Sequence, residues 1–83
     1  WITVSLQNRD TLPAYTLQGY TLRCVVYSFG GVPVEEHSVP LPKLPPGAGV
    51  IQEVAFEEKA PQRIRVDVMR PTGFSAATAY WEP

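Results

Sequence analysis

Arg63 to Trp81 reads RIRVDVMRPTGFSAATAYW, and this stretch decides the fold. Ile64, Val66 and Val68 alternate with Arg63, Arg65 and Asp67. A period of two places one set on an apolar face and the other on a charged face, the pattern of a half-buried β-strand. Met69 continues the strand, and Arg70-Pro71-Thr72-Gly73 reads as a tight turn. Pro71 pre-sets φ at the second turn position, and Gly73 suits the fourth. Phe74 to Trp81 then returns as a second strand, with bulk from Phe74, Tyr80 and Trp81. The chain thus ends on a β-hairpin.

Working outward, the same chemistry recurs. Ile2, Val4 and Leu6 alternate with Thr3, Ser5 and Gln7, and Asn8-Arg9-Asp10 ends that first strand. Thr11 to Gly19 is irregular, because Pro13 and Gly19 discourage a long strand; Tyr15 and Leu17 share a parity that suits one edge of the core. Tyr20 to Ser28 is the longest β-run, with Leu22, Cys24 and Val26 inward and Thr21, Arg23, Val25 and Tyr27 outward. Phe29-Gly30-Gly31 turns the chain, since glycines accept the positive φ of tight hairpins. Val32 to Val39 returns as an edge strand. Pro33 there lacks an N–H, and Glu35, Glu36 and His37 discourage pairing with another chain. Pro40 to Ala48 (PLPKLPPGA) is stiff and extended, with a Pro46-Gly47 turn of type II form. It serves as a crossover between sheets or, as a PxxP-like peptide, as a docking segment. Gly49 to Phe56 is the next strand, with Val50, Val54 and Phe56 on one face, and Glu57 to Gln62 is a polar connection. The expected fold is all-β, an immunoglobulin/fibronectin III-like antiparallel β-sandwich of six or seven strands. A small closed barrel is the alternative.

The 83 residues form a single domain spanning 1–83, with no room for a second core. A chain of this size buries only about 60% of its unfolded surface, so modest stability is expected. Nine prolines and six glycines fall between apolar runs, which is the punctuation of short strands. Seven basic and eight acidic residues give a formal charge of −1. No cluster of Lys and Arg provides the field that nucleic acid requires. No apolar run approaches the roughly 20 residues of a membrane helix. The opening on Trp1 suggests a piece excised from a larger multidomain protein, so localisation stays unknown: periplasmic, secreted or cytoplasmic. Cys24 is the single cysteine, which excludes an internal disulfide and a thiolate metal cage; it reads as a small buried hydrophobe.

Chemistry is sparse. A nucleophile needs a base beside it, but the alternation sets Cys24 inward and His37 outward. Of Glu35, Glu36 and His37, only Glu35 and His37 share a face and suit a metal; a solvated edge is the plainer reading. Asp67 and the exposed glutamates are expected on convex sheet surface, with no loop to wall a pocket, so paired-carboxylate glycoside cleavage is not expected within this stretch. Gly30-Gly31 and Gly47-Ala48-Gly49 are turn glycines rather than a phosphate cradle. No catalytic residue, cofactor or metal is therefore assigned. The aromatics offer two roles: a flat platform for a sugar ring, or contact with neighbouring domains, where Trp and Tyr are enriched. Trp1, Tyr27, Tyr80 and Trp81 are the candidates for sugar or interdomain contact.

The residues quoted above, from Asn8-Arg9 through Tyr20-Thr21-Leu22, the Gly-Gly turn and LPKLPPGA at 41–48 to RPTGFS at 70–75, form a pattern. It resembles the immunoglobulin-like β-sandwich domains of glycoside hydrolase family 2, which includes β-galactosidases, β-glucuronidases and β-mannosidases. RPTGFS is the most particular element. The resemblance implies a parent enzyme that cleaves a glycosidic bond with two glutamates on a (β/α)₈ barrel. It also implies that the present chain is a non-catalytic accessory domain, C-terminal to that barrel. Its partners would be the other domains of the parent and, in the alternative reading, carbohydrate bound as by a carbohydrate-binding module. An adhesin-type interaction sandwich would instead present an exposed apolar edge.

Overall fold

The computed structural model describes residues 1–83, except for the side chain of Pro13. Six strands form: β1 (Ile2–Gln7), β2 (Thr21–Tyr27), β3 (Pro33–Pro40), β4 (Gly49–Val54), β5 (Arg63–Met69) and β6 (Ser75–Trp81), with one 3-10 turn at Pro13–Tyr15. They build two antiparallel sheets, a small one ordered β1-β4 and a large one ordered β3-β2-β5-β6. The fold is an all-β sandwich, as the alternation predicts.

The turns follow the residues that demand them. Gly73 donates to the Arg70 carbonyl at 2.9 Å and Arg70 donates to Phe74 O at 2.8 Å, closing the β5–β6 hairpin. Ala48 donates to Pro45 O at 3.0 Å, and Gly47 sits at φ 82°. This is the proline-then-positive-φ sequence of a type II turn.

Register explains the core. Across β3, β2, β5 and β6 the inward-facing residues stand in three ranks: Val39, Leu22, Val68 and Ala77; His37, Cys24, Val66 and Ala79; Glu35, Val26, Ile64 and Trp81. The middle two strands supply the fully buried residues of each rank. Ile2, Val4 and Leu6 from β1, with Val50 and Val54 from β4, cover them from above. Cys24 is buried as expected.

Two expectations change here. His37 lies directly opposite Cys24 and so shares its inward face, because Pro33 and the shift of register at Val26/Tyr27 set the parity of β3. Asp67 does project from the outer face, yet it is fully buried there. Neighbouring long side chains close over it, a three-dimensional effect that strand alternation does not encode.

Candidate functional site

On the outer face of the large sheet, Asp67 is the centre of a polar network. Its Oδ1 accepts from Thr78 Oγ1 at 2.6 Å, and its Oδ2 accepts from Arg23 Nη2 at 3.0 Å. Arg65 Nε lies 3.1 Å from Oδ2. Burial pushes this carboxyl up, but the hydrogen bonds from Thr78 and Arg23 and the two positive charges more than offset it, leaving Asp67 below the usual carboxylate range. A residue so engaged is structural: it holds β2, β5 and β6 in register. Arg63 stacks over the Tyr80 ring at 4.0 Å, and Tyr27 stands opposite Arg63.

The four aromatic candidates are therefore divided. Tyr27 and Tyr80 share the outer face with Arg63 between them, two strands apart at a lateral spacing of about 9.5 Å. Trp81 pairs with Ile64 and faces inward. Trp1 is 79% exposed and precedes β1. The structure brings Tyr27 and Tyr80 to one surface and Trp81 to the opposite one.

A second cluster lies at the β3 edge. Glu35 accepts backbone N–H bonds from Glu57 at 2.8 Å and Glu58 at 2.6 Å, and His37 Nε2 is 3.0 Å from its Oε1. The Glu57 N–H is the main influence lowering the Glu35 carboxyl, with the His37 bond next. The carboxylate thus clasps the connection between β4 and β5 to the edge strand. Cys24 has no part in it chemically: burial, then the charge of Asp67, raises its thiol, the reverse of what a nucleophile needs. Among the described residues no group of three or more His, Cys, Asp or Glu is placed to hold a metal ion.

Asn8 is the buried residue that the sequence reading placed only as the end of a strand. Its Nδ2 donates to Tyr15 O at 2.9 Å and Leu44 O at 3.0 Å, and its Oδ1 accepts from Asp10 N at 3.1 Å. One side chain thereby ties the irregular 11–19 segment to the proline-rich crossover. That segment walls a cleft of about 420 Å³ whose lining includes Gln7, Asp10, Tyr15, Tyr20, Arg70 and Ala76. No pocket wall was expected in the chain; the 3-10 turn, anchored by Asn8, supplies one.

The least covered part of the sandwich is β6, exposed along its whole length. Ala77, Ala79 and Trp81 face inward beneath the free side of β1. Between them runs a groove of about 270 Å³ bordered by Ile2, Val4, Val66, Ala79 and Trp81. Comparison with protein families, with curated proteins and with solved structures finds no match.

Proposed function

We propose that this chain is a non-catalytic accessory β-sandwich of a larger enzyme of the family 2 glycosidase type, packing against other domains of its parent or against the rim of the active site. The observation that carries this reading is the uncovered rank end of Ala77, Ala79 and Trp81 on β6. An apolar face of this kind, rimmed by polar residues, marks an interaction surface. The kind of parent rests on the RPTGFS and LPPGA turns. Two halves of one experiment test it. The full reading frame that carries residues 1–83 hydrolyses nitrophenyl β-galactoside, β-glucuronide or β-mannoside, whereas residues 1–83 alone cleave none of them. A full-length protein inert on all three would overturn the glycosidase assignment.

The alternative is a carbohydrate-binding module. The cleft at Asp10, Tyr15, Tyr20 and Arg70 favours it, since its volume of about 420 Å³ lies within the roughly 300–1,000 Å³ of small-molecule sites. Titration of ¹⁵N-labelled chain with an oligosaccharide panel separates the two readings. The accessory reading expects no shifts at millimolar sugar; shifts at Tyr15, Tyr20 or Tyr80 would replace it with sugar binding.

A further inference from the structure

We propose that the crossover between β3 and β4 presents a preformed polyproline II ridge that docks into an aromatic-lined groove of a partner protein, with a carboxylate at the groove rim for Lys43. From Pro40 to Pro46 the sequence is PLPKLPP, and its backbone has little freedom. Pro40, Pro42, Pro45 and Pro46 fix their own φ at about −65°. Leu41, Leu44 and Pro45 each precede a proline, which disfavours the helical region and favours extended or polyproline II backbone. Only Lys43 escapes both constraints. A chain so restricted winds with three residues per turn and makes no hydrogen bonds within itself.

Burial and hydrogen bonding both repeat at that spacing. Leu41 and Leu44 are buried, whereas Pro42, Lys43 and Pro45 are exposed. Leu41 donates to Tyr20 O at 2.9 Å, Leu44 to Leu17 O at 2.9 Å and Gly47 to Asn8 O at 2.8 Å. Every third residue therefore fastens one side of the ridge to the body of the domain. On the free side, Pro42 and Pro45 stand about 9 Å apart. A crossover needs only the chain length and the inward leucines; the exposed proline pair and its lysine serve neither the core nor the strand pairing.

The chemistry of the partner follows from what is left to touch. Leu41 and Leu44 are held inside the sandwich, so a groove that takes whole Leu-Pro pairs is excluded while the chain is folded. Two proline rings, backbone carbonyls and one ammonium remain. Aromatic-lined grooves are the surfaces that recognise such ridges. Lys43 makes no ion pair among the described residues, and charge complementarity gives it a carboxylate on the partner. The ridge is ordered before it binds, so docking loses little conformational entropy. It leaves the large sheet at the β3 edge, whereas β6 is the opposite edge. The two surfaces are separate, and neither depends on the other.

The test titrates the ¹⁵N-labelled 83-residue chain with a purified WW domain that carries a glutamate at the rim of its Tyr/Trp groove, and with the same domain carrying lysine there. The expected result is saturable shifts at the amides of Lys43, Leu44 and Gly47 with the acidic-rim domain, at a dissociation constant below about 1 mM, while the β6 amides do not move. The lysine-rim domain binds roughly fivefold more weakly. Lys43→Glu, at an exposed position, leaves the thermal midpoint unchanged and reverses that preference. Pro42→Ala combined with Pro45→Ala abolishes binding; should that variant lose its fold, the charge reversal by Lys43→Glu decides alone. An acidic-rim domain that shifts no amide overturns the proposal. So do shifts confined to another surface, or a preference that Lys43→Glu leaves unchanged.

Discussion

Replacing Asp67 by Asn keeps the shape of the side chain and removes its charge, and the structure sets the size of the effect. The carboxylate accepts a 2.6 Å bond from Thr78 and contacts Arg23 at 3.0 Å and Arg65 at 3.1 Å. A hydrogen bond to a charged group contributes about 1.5–3 kcal/mol, and breaking a buried pair costs about 3–5 kcal/mol. The two arginine side chains, however, are 31% and 37% exposed. They regain water when the partner is neutralised, which brings each ion pair down toward the ~1 kcal/mol or less of a surface pair. The expected loss for Asp67→Asn is then about 2–3 kcal/mol. In a domain of this size about 4–8 °C accompanies each kcal/mol, so the thermal midpoint at pH 7 falls by about 8–24 °C. The sign with pH is fixed by the lowered folded-state value. The stabilisation is complete above the unfolded carboxylate value of about 3.9 and is lost as pH falls through the still lower folded value. Wild type and Asp67→Asn should therefore diverge most at neutral pH and converge in acid. Urea denaturation followed by circular dichroism at stepped pH measures both. A loss under about 0.5 kcal/mol, or a gap that stays constant into acid, would refute the network as described.

The remaining expectations are read by the same denaturation assay. Asn8→Ala strands the carbonyls of Tyr15 and Leu44 and should cost about 2–3 kcal/mol, with faster exchange across 11–19; an unchanged midpoint would show that the crossover holds itself. Val66→Ala should cost about 2 kcal/mol, against about 1 kcal/mol or less for Arg65→Ala. Equal losses would mean that the faces of β5 are reversed. A Cβ added at Gly47 meets no neighbouring atom within 4 Å, so Gly47→Ala isolates the backbone strain at positive φ, about 1–2 kcal/mol, and a neutral result would remove the turn from the account.

Strands and turns were legible in the sequence because their determinants are local. The alternation in Arg63 to Met69, the prolines of 40–46 and the glycines at 30, 31, 47 and 73 each act on their own few residues. The parity of β3 was not legible, since it depends on a shift of register between two strands, and His37 consequently lies opposite Cys24. Asp67 read as exposed because alternation reports direction, whereas its burial depends on Arg23 from β2 and Thr78 from β6, 44 and 11 residues away in sequence. Asn8 was visible as a turn residue; its reach to Leu44, 36 residues on, was not. Alternation already set Tyr27 outward, but the faces of Tyr80 and Trp81 followed only from the pairing of β5 with β6.

The most direct test of the proposal that the face of β6 beneath β1 is covered by other domains of a larger protein is residue-resolved hydrogen exchange of residues 1–83 alone and within the full reading frame that carries them. The account predicts fast exchange at the outer amides of β1 and β6 in the isolated chain, beside slow exchange in β2 and β5, and protection of β1 and β6 in the parent. Equal rates for β1 and β6 in both settings would contradict it.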